Sequence, residues 1–101
     1  MERKIRLSER DLKTIVETAK EVFGNCKVYL FGSRTDPDKR GGDIDLLVVL
    51  DSAPPDEAEL DFLAKLRRKG ILRKVDLLTL HPGKKMKPIH KTALEEGIRI
   101  L

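Results

Sequence analysis

Asp43 and Asp45 stand one residue apart at the mouth of an apolar run, Ile44 to Leu50 (IDLLVVL), and Asp76 sits inside a second run, RKVDLLTL. Runs of this composition belong to strands buried in a sheet, where an uncompensated carboxylate is costly. Residues two apart on a strand share a face, with Cα atoms roughly 6.5–7 Å apart. Asp43 and Asp45 are therefore expected to point one way, and Ile44, Leu46 and Val48 the other, toward the core. If the strand carrying Asp76 lies alongside, this third carboxylate joins the first two, and Val75, Leu77 and Thr79 take the opposite face. At about 5 Å and an effective dielectric near 20, each pair of like charges costs on the order of 3 kcal/mol. Divalent cations would remove that cost. Oxygen donors unsupported by Cys or His favour Mg²⁺ or Mn²⁺ over Zn²⁺.

Gly32-Ser33 supplies a second chemical element. Glycine lets the backbone approach a ligand closely, and the amides that follow, with the Ser33 hydroxyl, can donate to phosphate oxygens. Arg34 comes next and is a further candidate phosphate contact, with simple solvation as its alternative. A Gly-Ser turn leaving one strand and acids opening the next can hold a triphosphate between amide donors and acid-bound metal. Other chemistries are poorly supported. FGSRT lacks the G-x-S-x-G elbow of a hydrolase nucleophile, and neither a Walker-type loop nor G-x-G-x-x-G is present. His81 and His90 lack metal-ligand spacing and are read as surface residues. Arg67-Arg68-Lys69, Arg73-Lys74 and Lys84-Lys85-Lys87 are read as solvated charge, with an RNA- or partner-facing patch as the alternative.

The elements that would position these groups are legible in the chain. Ser8 followed by Asp11 marks a helix N-terminus; Leu12, Ile15, Val16, Ala19, Val22 and Phe23 recur at helical spacing, and Gly24 stops the helix, predicting Glu9 to Phe23. Lys27 to Phe31 is a short strand ending at Gly32-Ser33. A loop from Arg34 to Gly42 contains Pro37 and Gly41-Gly42, and Asp43 to Leu50 is the second strand. Asp56 and Glu59 are expected to cap a second helix that runs to about Lys69 and is closed by Gly70. Arg73 to Leu80 is the third strand. Pro88 suits the first turn of a last helix to Glu96, Gly97 caps it, and IRIL adds an edge strand. The order predicts an α/β domain with a small mixed sheet.

Size and composition agree. The 101 residues fit one domain, 1–101. At 40% hydrophobic and 38% charged residues, a folded core with a heavily charged surface is expected. The net charge of +4 mildly favours an anionic partner such as a nucleotide or RNA, while three Phe, one Tyr and no Trp argue against base-stacking platforms. Cys26 is the single cysteine, so an internal disulfide is excluded and a reducing compartment is expected. MERKIRLSERDLK is too charged for a secretory signal, and no apolar run approaches membrane-spanning length. A cytoplasmic location without membrane contact follows as the expectation.

Gly-Ser, a spacer, Asp-x-Asp and a later third acid together resemble the nucleotidyltransferase fold shared with polymerase beta. The stretch GSRTDPDKRGGDIDLLV is most similar to the minimal nucleotidyltransferase family, which includes antitoxins that partner HEPN-domain toxins; ALEEGIRIL extends the similarity to the end of the chain. The resemblance implies an α/β (α+β) fold with helices packed on one face of a small mixed sheet. It implies two-metal transfer of a nucleoside monophosphate, usually AMP from ATP, onto an acceptor hydroxyl, with pyrophosphate leaving and with two Mg²⁺ ions, or Mn²⁺ in their place. Gly32 and Ser33 match the phosphate-binding pair, Asp43 and Asp45 the paired metal ligands, and Asp76 the third acid. After Arg34, Thr35-Asp36-Pro37 departs from the short Arg-Gly turn of many relatives, so the helical turn after Ser33 is expected to be shortened. The alternative is a non-catalytic antitoxin or binding module that neutralises a partner by masking. The acceptor and the oligomeric state, homo-oligomers included, stay open.

Overall fold

The computed structural model of the protein describes residues 7–32 and 44–101. Helix α1 (Glu9–Phe23) begins where its cap predicts: Ser8 Oγ accepts a hydrogen bond from the Asp11 N–H at 3.1 Å. It ends at Gly24, whose φ of 73° is open to glycine and strained for other residues. Strand β1 (Cys26–Phe31) leads antiparallel into β2 (Ile44–Leu50). Helix α2 (Ala58–Arg68) crosses to β3 (Val75–Leu80), which pairs parallel with β2, as a strand-helix-strand crossover requires. Helix α3 (Pro88–Glu96) and the short edge strand β4 (Ile98–Arg99), antiparallel to β1, complete the sheet order β3-β2-β1-β4.

The mixed α/β architecture is the one expected, and its layering is richer than a sheet covered on one side. Ile15 and Ala19 of α1 and Phe62 and Leu66 of α2 pack on Val28, Leu30, Ile44, Leu46 and Val48, so α1 and α2 do share one face. Helix α3 lies on the other: Ala93 packs with Phe31, Leu47 and Leu80. That is why β2 is apolar on both faces beyond Asp45. The closeness of α3 to β1 depends on Gly97, whose N–H donates to the Ala93 carbonyl at 2.9 Å. A Cβ there would collide with that carbonyl and lie 3.2 Å from the Leu30 carbonyl.

Helices α1 and α2 are also joined at their surface. Glu21 sits 2.7 Å from Lys65 and 3.0 Å from Lys69, and Lys69 donates in addition to Thr18 Oγ1 at 3.1 Å. The two ammonium groups hold the Glu21 carboxyl down at about 2. Lys69 is thus a brace between helices rather than merely solvated. Beneath the brace, the Phe23 and Phe62 rings lie 5.3 Å apart at a 47° tilt, a favourable aromatic arrangement.

Three local expectations are corrected. Asp56 and Glu59 do not cap α2: Pro55 accepts from the Ala58 N–H at 3.0 Å, so Asp56 and Glu57 are used in a turn and the helix starts at Ala58. Strand β3 starts at Val75 rather than Arg73, because the chain is still leaving the turn after Gly70. His90 is buried, not a surface residue. Its Nδ1 accepts the Lys87 N–H at 3.0 Å and so closes the start of α3.

Candidate active site

Strand register decides where the acids meet. In the parallel pairing of β2 with β3, Asp45 is directly level with Asp76, and the Ile44 N–H donates to the Lys74 carbonyl at 2.9 Å just before it. Neighbouring strands lie about 4.8 Å apart, so the two carboxylates leave the same face side by side. On the other flank Asp45 is level with Phe31, the residue before Gly32. Asp45, Asp76 and Gly32 therefore gather at one end of the sheet, on the face that carries α3.

Gly32 has a φ of 73° and lies against the Asp45 carboxylate. A Cβ at this position would collide with Asp45 Oδ2 and sit 3.0 Å from its Cγ. Only a residue without a side chain leaves room for both the turn and the acid. Asp45 is half-buried and the Asp76 side chain is 46% exposed, so water screens part of their repulsion. Lys74 Nζ approaches Asp76 Oδ1 at 3.7 Å and offsets another part. Sequence reasoning missed this lysine. Its signal was the two-residue spacing from Asp76, which puts both on one side of the extended chain.

Of the sequence-derived candidates, Gly32, Asp45 and Asp76 are brought together. Ser33, Arg34 and Asp43 lie outside the described residues. Among the described residues no group of three or more His, Cys, Asp or Glu side chains forms a metal-holding cluster. The donor chemistry nonetheless suits a hard divalent cation: Asp45 and Asp76 offer carboxylate oxygens abreast, and Gly32 leaves the Asp45 carboxylate room to lie against the turn. A groove of about 530 Å³ lies elsewhere, at the start of α2. No helix among the described residues is long and apolar enough to cross a membrane.

Comparison with known proteins agrees with this geometry. A search of curated protein sequences finds no match. Among solved structures, a chain of the toxin-antitoxin MntA-HepT is similar at a TM-score of 0.68 and 18% identity, covering 93% of this chain and 72% of that one. That likeness establishes the shared fold. The family model described as "Polymerase beta, Nucleotidyltransferase" matches residues 11–101, from the first turn of α1 through β4. The chain belongs to the polymerase beta nucleotidyltransferase family.

Proposed function

We propose that the protein transfers AMP from ATP to an acceptor hydroxyl in a Mg²⁺-dependent reaction, and that the acceptor is carried by a partner protein of the HEPN class. The observation that supports this most is the placement of Asp45 level with Asp76, its carboxylate lying against a glycine that has no side chain to displace it. In this reading Asp43, Asp45 and Asp76 hold the metal, and Mn²⁺ can replace Mg²⁺. When bound, such ions stabilise the attacking and leaving oxygens of the displacement. Gly32 and Ser33 donate to the triphosphate, with Arg34 as a further contact. The acceptor oxygen attacks the α-phosphorus, the bond to the bridging oxygen breaks, and pyrophosphate departs with the electron pair. Asp76 takes up the hydroxyl proton. A cytoplasmic setting, rich in ATP and Mg²⁺, suits this chemistry.

A second reading is a module that neutralises its partner by masking. It is favoured by the likeness to a chain of a toxin-antitoxin complex, since a complex requires only a surface. Incubation with α-labelled ATP, Mg²⁺ and the HEPN-domain product of a neighbouring gene separates the two. Transfer predicts a labelled partner, with label lost in Asp43→Asn and Asp45→Asn. Full inhibition of the partner by the double Asn variant, without label in either case, would establish masking instead.

A further inference from the structure

Leu60 and Leu72 are the most exposed large apolar side chains of the described residues, at 70% and 72%. They stand at the two ends of α2, in opposite electrostatic settings. Leu60 borders the groove of about 530 Å³, with Val22, Pro55, Ala58 and Ala64. Val22 and Pro55 also line an adjoining hollow of about 300 Å³ that reaches Leu50, so the two form one trough. From Asp51 to Ala64 the sequence holds five acids (Asp51, Asp56, Glu57, Glu59 and Asp61) and neither Lys nor Arg. From Lys65 to Lys74 it holds six basic residues and no acid.

Leu72 is presented on a built turn. Gly70 has a φ of 105°, Ile71 is buried with its N–H on the Leu66 carbonyl at 3.0 Å, and Arg67 Nη1 donates to the Leu72 carbonyl at 2.9 Å. Arg68, in the last turn of α2, and Arg73, the next residue after Leu72, are exposed. An apolar knob framed by guanidinium groups thus complements an apolar trough framed by carboxylates.

We propose that the Leu72 turn of one copy docks in the acidic trough of a second copy, head to tail. Knob and trough are different surfaces, so the contact is heterologous and extends into rings or open chains. Its small area makes it weak, and its charged rim makes it sensitive to salt. The inference is independent of the transferase reading.

Sedimentation of the wild-type chain from about 10 µM to 1 mM tests it. The mean mass is expected to rise above 11.5 kDa with concentration and to fall back when salt is raised. Leu72→Asp and Leu60→Arg alter exposed positions, and each alone is expected to weaken association about ten- to hundredfold. Mixing these two variants is the decisive arm. One retains its trough and the other its knob, so a single contact forms and growth stops at twice the chain mass. Should either variant fail to fold, Arg73→Glu and Glu57→Lys address the same faces through charge alone. A monomer throughout the range, variants that associate like wild type, or a mixture that does not dimerise would overturn the proposal. A basic partner peptide that binds the trough while the chain stays monomeric would overturn it as well.

Discussion

Gly32→Ala is the sharpest single perturbation of the proposed site. At a φ of 73° an alanine costs roughly 1–2 kcal/mol in backbone conformation. The new methyl group also meets the Asp45 carboxylate, with Cγ at 3.0 Å and Cβ at 3.3 Å, and must push that side chain off its rotamer. That adds roughly 0.5–1.5 kcal/mol. The sum, about 1.5–3.5 kcal/mol, corresponds to a melting temperature lower by roughly 6–28 °C for a domain of this size. Thermal unfolding in metal-free buffer reads the stability, and calorimetric titration with Mn²⁺ reads the site. Mn²⁺ affinity is expected to fall by about tenfold or more, because the ligand itself is displaced. Gly24→Ala is the control. Gly24 has the same φ of 73°, but nothing lies within 4 Å of an added Cβ. Its substitution costs only the backbone part, about 1–2 kcal/mol of stability, and should leave Mn²⁺ binding intact. If Gly32→Ala binds Mn²⁺ like wild type, or if both variants weaken it equally, the Asp45 carboxylate is not held for a cation by this glycine.

Other consequences are equally direct. In metal-free buffer Asp45→Asn should leave the melting temperature unchanged or raise it, since it removes repulsion with Asp76; a large drop would mark Asp45 as a structural residue. Lys74→Met removes the ammonium 3.7 Å from Asp76 and should tighten Mn²⁺ binding about two- to fivefold, the span of an exposed ion pair. Arg73→Met, a control for general charge, should shift it less. Glu21 has its carboxyl lowered from 4.5 to about 2 by Lys65 and Lys69. The stabilisation this represents is present above pH 4.5 and disappears as pH falls through about 2. Glu21→Gln should therefore melt lower than wild type near neutrality, and acid unfolding curves should converge at the low end of that window.

Much of this arrangement was legible because it is local. Ser8 and Gly24 bound α1 at the residues expected, and Pro88 and Gly97 do the same for α3. Two-residue alternation placed Asp45 on the face opposite Ile44 and Leu46. What escaped the sequence depends on contacts distant in the chain or on competition between local signals. The turn at Pro55 overrode the capping potential of Asp56. His90 looked solvent-facing because its burial comes from α3 crossing the second face of the sheet, which no short window reveals. The adjacency of Asp45 and Asp76 was conditional on strand pairing, whereas Lys74 meets Asp76 locally and was passed over as solvated charge.

The level pairing of β2 and β3 has a consequence for how the chain finds its native state. Sliding β3 by one residue would turn Asp76 toward Phe62 and Ile15 and send Leu77 outward, an exchange of charge for hydrocarbon in the interior. The same acid that strains the finished sheet thus penalises the misaligned alternative far more heavily. Asp76 acts as a proofreader of strand alignment whatever its chemistry, and replacing it with an apolar side chain would remove that safeguard.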